Sequence, residues 1–168
     1  MSQTATTAGA TAQAGKYLTF ALANEIYGLQ ILKVQEIIGM MTVTRVPRTP
    51  DFIRGVINLR GKVIPVVDLR RKFGLEDHKD TEKTCIIVVQ IAQAQRQTTM
   101  GILVDEVSEV INITAEQIEP TPEFGAAVDT AFILGMGKVG QKVLTLLDID
   151  RVLSTSEVSV IQEAVATN

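Results

Sequence analysis

Apolar positions along the chain follow the period of strands more than that of helices. Tyr17-Leu18-Thr19-Phe20-Ala21-Leu22 and Glu25-Ile26-Tyr27-Gly28-Leu29 flank Ala23-Asn24, which predicts a hairpin with Asn24 in its turn. Val63-Ile64-Pro65-Val66-Val67 is short and β-branched. Pro65 has no N–H to give a ladder, so this strand is expected at an edge or at a bulge. Cys85 to Ile91 is apolar on both faces, as in a strand covered on both sides. Further strands are expected over Thr98 to Val104, Val107 to Ile113, Ile133 to Met136 and Val143 to Leu147.

Helical signals are short. Asp68 is placed to cap Leu69 to Phe73, with Gly74 as the stop. Ser154-Thr155-Ser156-Glu157 fits a capping box ahead of a tail with Val158, Ile161 and Val165 on one face.

The pattern repeats within the chain. Gly28, Val34, Glu36 and Ile37 return in order as Gly101, Val107, Glu109 and Val110, displaced by 73. Pro50-Asp51-Phe52 matches Pro122-Glu123-Phe124, displaced by 72. Ile53, Gly55, Val63, Val66, Asp68 and Leu69 return as Ile133, Gly135, Val143, Leu146, Asp148 and Ile149, displaced by 80. Two copies of one small β unit follow, each ending in a strand, an aspartate cap and a short helix. At about 65 to 70 residues, each copy is marginal as an independent core, so the two should pack on one another. The expected fold is all-β, with two small barrels related by a pseudo-twofold. Whether the first hairpin joins its own copy or crosses to the other is open at this level.

Composition narrows the classes. The chain has 168 residues and a formal net charge of −3, so no basic field attracts phosphate backbones, and nucleic-acid binding is not expected. One Cys forms no internal disulfide, which favours a reducing compartment. No 18-residue apolar run predicts a membrane span. Residues 1–15 carry no side-chain charge and almost no large apolar group, and read as a floppy tail. Residues 76–83 form a charged connector containing the single His78, which reads as a surface residue without ligand partners. Cys85 has no cation beside it in sequence and reads as buried filler.

Candidate chemistry is sparse. Asp68 and Asp148, one per copy, pose the question of an acid-dyad hydrolase. Neither is followed by glycine or a small hydroxyl residue, and both stand where a helix needs a cap, which accounts for them without catalysis. Gly135-Met136-Gly137-Lys138-Val139-Gly140 satisfies a phosphate-binding string but lies between two short strands rather than between strand and helix. No metal set, catalytic residue or cofactor site is expected. Between the late strands, the first copy has Asn58-Leu59-Arg60-Gly61-Lys62 where the second lacks an arginine. Arg60 at a hairpin tip either anchors a partner's carboxylate or carbonyls, or makes an internal bond that holds the turn. Ile31 to Ile38 is too apolar for a strand with one watery face, so it is either buried on both sides or part of a binding surface, and Glu36 favours the latter.

The run from Tyr27 to Ile37, the stretch Gly55-Val56-Ile57-Asn58-Leu59-Arg60-Gly61 after Thr49-Pro50, and Ile64-Pro65-Val66-Val67-Asp68-Leu69-Arg70 resemble the chemotaxis coupling protein family CheW. Gly101 to Val107 and Leu146-Leu147-Asp148-Ile149 are similar to the same family. The resemblance implies two five-stranded Src-homology-3-type barrels sharing a core. It implies one domain over residues 16–154, split near 16–75 and 84–154, with 155–168 as a C-terminal helix or tail. It also implies a non-catalytic cytoplasmic adaptor, monomeric outside receptor arrays and not inserted in the membrane. Such an adaptor bridges the cytoplasmic hairpin tips of chemoreceptors to the regulatory domain of the histidine kinase CheA, itself a double barrel. Carried over by motif, the contacts concentrate at Ile31, Val34, Glu36, Ile37, Gly55, Asn58 and Arg60, with Val104 and Val107 near a groove between the barrels. The rival within the fold is a detached regulatory domain of the kinase, or another double-barrel interaction module.

Overall fold

The computed structural model describes residues 13–75, 79–93, 96–122, 131–152 and 157. Within the described residues the elements run in order: β1 (Gly15–Leu22), β2 (Glu25–Gln30), β3 (Val34–Gly39), β4 (Ile53–Leu59), β5 (Lys62–Asp68), α1 (Leu69–Lys72), β6 (Cys85–Gln93), β7 (Arg96–Val104), β8 (Glu106–Ile113), β9 (Ile118–Glu119), β10 (Ile133–Val139), β11 (Lys142–Leu147) and α2 (Ile149–Val152). The predicted hairpins form where the turn residues allow. Ala23 and Asn24 both take positive φ, the two-residue turn that matches strand twist. The capping box at residues 154–157 and the tail helix fall largely outside the described residues, as do His78, Glu123 and Phe124.

The first hairpin crosses over. One sheet runs β8-β1-β2-β11-β10-β9 and the other β3-β6-β7-β5-β4, so each copy lends its opening hairpin to the barrel of the other. The exchange is reciprocal and in register. Gly28 lies beside Leu146 in the parallel β2–β11 ladder, and Gly101 beside Val66 in the parallel β7–β5 ladder. These are the same two positions under the displacements read from the sequence. The ladder irregularities coincide too, between Ile53 and Gly55 in β4 and between Ile133 and Gly135 in β10. The amides of Asp68 and Asp148 donate to the carbonyls of Phe52 and Phe132, each at 2.7 Å. Phe132 therefore holds the place of Phe52, and the 72-residue match to Phe124 is superseded.

Both barrels close in the same manner. After β3, Thr44 exchanges two 2.8 Å backbone bonds with Val56 of β4. After β8, a 3-10 turn (Ala115–Gln117) leads into β9, which pairs Glu119 with Met136 of β10. The two-residue β9 is the sixth strand of its sheet and the counterpart of the Thr44 bridge. Of the two places expected for Pro65, the structure shows an irregular ladder and not an edge: β5 lies inside its sheet between β7 and β4, and its pairing with β4 slips between Ile53 and Gly55, opposite Val67 and Val66. The ladder to β7 begins one residue later, at Val66, so no N–H is missed at Pro65.

Strands apolar on both faces have two cores to fill. Ile87, Val89 and Ile102 point into a central cluster that also takes Leu18, Phe20, Leu29, Val67 and Leu147. Their neighbours Ile86, Val88 and Leu103 point instead into the first barrel with Ile57, Ile64 and Val66. Tyr17, Ile113, Leu134, Leu144 and Leu146 fill the second barrel. The alternation of period two thus divides each exchanged strand between its barrel and the shared core. Hydrophobic burial of this kind is the main force that holds two small units as one body.

Candidate functional site

The β4–β5 hairpin turns on Arg60 and Gly61, with φ of 53° and 87°. Asn58 steadies the turn by accepting the Gly61 N–H at 2.8 Å. Arginine in the left-handed region costs roughly 1–2 kcal/mol, and the corresponding position of the second barrel is Gly140, at φ 61°. The two turns thus differ in that only the first carries a side chain at this strained place. That side chain reaches β3 and pairs with the carboxylate of Glu36, while remaining 68% exposed. The hydrogen bond that Arg60 donates to Glu36, and then the charge of Glu36, raise the guanidinium's pKa. Arg60 thus makes an internal bond across the barrel mouth rather than within its turn, and still presents donors to solvent.

Two apolar side chains on strands of the first barrel are also exposed, Ile37 on β3 and Val63 on β5, each at 45%; Ile37 pairs with Ile87 and so points to the face of β3 opposite Glu36, which pairs with Val88. The second barrel repeats them at the equivalent places, Val110 at 47% and Val143 at 58%. Val63, Val110 and Val143 were not singled out from the sequence as surface residues; carrying Ile37 through the repeat would have found Val110. Leu32 is a further omission. The residues Ile31–Lys33 form a 3-10 turn rather than strand, and Leu32 at its crest is 95% exposed while Ile31 and Val34 pack against the central cluster. Lys33 ties the turn to α2 through a 2.7 Å ion pair with Asp150.

The remaining expected site residues separate by burial. Val107 is half-buried against the central cluster. Val104 is fully buried within it, so it supports the surface from beneath and offers no contact of its own. Gly55 is buried at φ 147°, and a Cβ there would collide with the Thr44 carbonyl oxygen. Its role is to let the closing bridge approach the strand.

Each aspartate of the acidic pair caps its own helix. Asp68 accepts the Arg70 N–H at 3.0 Å as the cap of α1, and Asp148 accepts the Asp150 N–H at 3.1 Å at the start of α2. Asp68 is further held by Arg70 Nε at 3.2 Å and Arg54 at 3.4 Å, whereas Asp148 has Arg151 at 3.6 Å. Burial, and then the charge of Asp150, hold the Asp148 carboxyl above its ordinary range. The glycine string from Gly135 to Gly140 runs along β10 into the hairpin turn before β11, with no helix at its end. Burial pushes the Cys85 thiol up, which leaves it a poor nucleophile. Among the described residues no group of three or more His, Cys, Asp or Glu is placed to hold a metal ion. No helix among them is long and apolar enough to cross a membrane.

Comparison with known proteins agrees with this geometry. The family model for the CheW-like domain matches residues 16–157. Chemotaxis protein CheW of Klebsiella aerogenes is 46% identical over 146 residues, covering 87% of this chain and 86% of the relative. Chemotaxis protein CheW of Bacillus subtilis is 35% identical over 139 residues, covering 82% and 86%. Among solved structures, the scaffolding protein TtCheW of Thermoanaerobacter tengcongensis superposes with a TM-score of 0.76 at 37% identity, covering 86% of this chain and 96% of that one.

Proposed function

The chain belongs to the CheW-like family of chemotaxis proteins, and on that premise we propose that it is a non-catalytic cytoplasmic adaptor joining chemoreceptor tips to the regulatory domain of the kinase CheA. The observation that carries this reading is the Arg60–Glu36 pair, built on a strained backbone and left open to solvent on a barrel that also exposes Ile37 and Val63. Exposed apolar side chains and a charged pair on one small barrel suit the like-folded domain of the kinase, the first for contact area and the second for orientation. The 3-10 turn with Ile31, Leu32 and Val34, together with Val107, suits the amphipathic helices of a receptor hairpin. Repetition of the exposed apolar pair on the second barrel supports a body with more than one docking face, as bridging requires. Two partners held by one rigid body influence each other's binding reciprocally.

Calorimetric titration of the kinase regulatory domain and of a receptor cytoplasmic fragment, each alone into the chain, tests the reading. Ile37→Asp should weaken the kinase domain by about tenfold or more, as loss of a central apolar contact does, and leave the receptor fragment unaffected. Unchanged kinase binding by a folded Ile37→Asp variant would remove the first barrel's face from the account.

A further inference from the structure

Between β3 and β4 the chain makes an excursion over residues 40–52 that the reading above does not use. Its start is fixed by the two Thr44–Val56 bonds, and its end by the Ile53 N–H donating to the Pro50 carbonyl at 3.0 Å. Thr49 Oγ1 donates to the Val46 carbonyl at 2.8 Å, and Pro47 and Pro50 limit the backbone further. Arg48 is held at φ 66°, a second arginine in the left-handed region. The excursion walls a cleft of about 470 Å³, with Val46, Pro47 and Ile53 contributing apolar footing and Arg45, Arg48 and Arg54 the cationic rim.

The charges of that rim are unequally engaged. Arg54 is held by Asp80 at 2.7 Å and Asp68 at 3.4 Å. Arg45 and Arg48 are exposed and form no ion pair with any described residue. Asp51, the one acid in the lining, lies 3.9 Å from Arg71 instead. In the second copy the corresponding segment, residues 114–132, contains Glu116, Glu119, Glu123 and Asp129 and no Lys or Arg. The cation pair is therefore peculiar to one copy and is not a requirement of the fold.

We propose that this cleft docks a short acidic segment of a partner protein, with carboxylates on Arg45 and Arg48 and small apolar side chains on Val46 and Pro47. Two guanidinium forks on a rigid loop suit carboxylates spaced along a chain. A bilayer surface is disfavoured, because the chain as a whole carries −3 and the cations line a recess instead of a broad flat patch. The surface lies beyond the kinase and receptor faces argued above and does not depend on them.

The test uses the full chain and a fluorescent peptide in which Glu alternates with Leu and Pro, a counterpart with Gln for every Glu, inorganic phosphate, and vesicles containing phosphatidylglycerol. The Glu peptide should bind with amide shifts confined to residues 44–56, lose affinity with added salt, and be weakened about tenfold by the Arg45→Glu/Arg48→Glu variant. The Gln peptide should bind far less. Arg48→Gly, which relieves the strained backbone, should bind less while melting no lower than the parent. The proposal fails if the Glu peptide does not bind, if the double reversal leaves its binding unchanged, or if phosphate or vesicles occupy the cleft and the peptide does not.

Discussion

Two residues after the capping aspartate, the first copy has Arg70 and the second has Asp150. The helices are otherwise alike, and both residues reach across to the other half of the molecule. Arg70 is buried and meets Asp105 at the β7–β8 junction at 3.1 Å, with Asp68 and Asp80 around it. Asp150 is half-exposed and meets Lys33 just before β3 at 2.7 Å. The two junctions correspond in the repeat, so the same strut is built twice with its polarity reversed. Had each hairpin stayed with its own copy, Arg70 would face Lys33, and Asp150 would face Asp105 and Glu106. The exchanged arrangement sets opposite charges together, which is one way a duplicated sequence specifies which half meets which. Positions that only the backbone needs, such as Gly28 and Gly101, stay the same across the copies. The charged positions Arg70 and Arg60, by contrast, have Asp150 and Gly140 as their counterparts.

The largest effect separates the two struts. Burial would lower the pKa of Arg70, but the hydrogen bond and charge of Asp68, then Asp105 and Asp80, raise it, so the cation is deeply committed. Arg70→Ala should cost about 3–5 kcal/mol in urea unfolding, because buried acids lose their counter-charge. Lys33→Ala, at the half-exposed strut, should cost about 1 kcal/mol or less. Equal costs would show that the two struts are energetically alike.

A smaller difference separates the paired glycines. A Cβ at Gly101 would lie 2.6 Å from Ile86 Cγ2, a stiff β-branched methyl, and Gly101→Ala should cost about 1–3 kcal/mol. At Gly28 the nearest atom is Leu146 Cδ2 at 3.0 Å, the end of a longer side chain, so Gly28→Ala should cost less. Thermal midpoints of the two variants rank them.

Placing the second copy's turn residue in the first gives a change of opposite sign. Arg60→Gly relieves a left-handed arginine and removes a mostly exposed ion pair, so the thermal midpoint should hold or rise while kinase-domain binding falls. Loss of stability together with binding would assign Arg60 to holding the barrel. The smallest effect concerns Asp148, whose folded-state pKa lies above its unfolded value. The folded protein therefore binds the proton more readily, and ionisation of Asp148 subtracts stability as pH rises through that interval. Asp148→Asn keeps a capping oxygen and should be neutral to slightly stabilising near pH 7. That gain should disappear in acid, where the carboxyl is protonated in both states.

The sequence made the duplication, the aspartate caps, the Ala23-Asn24 turn and the doubly buried strands readable, because each is local chemistry or simple periodicity. Exchange of the hairpins was not readable, since either arrangement buries the same apolar faces; the discriminating charges, Lys33 with Asp150 and Arg70 with Asp105, lie 117 and 35 residues apart. The place of Pro65 inside a sheet depended on where a parallel ladder begins, which no local rule supplies. At the candidate site, Arg60 and Glu36 meet as a pair, while Ile37 is exposed on the opposite face of β3. Val104 belongs to the core, because its strand is covered on both sides and its apolar pattern cannot distinguish a groove from an interior.

Sedimentation velocity on a mixture of the chain, a receptor cytoplasmic fragment and the kinase regulatory domain tests bridging most directly. The account predicts one species containing all three, with receptor fragment and kinase domain failing to co-sediment when the chain is left out. Mutual displacement, in which bound receptor fragment releases the kinase domain, would contradict it.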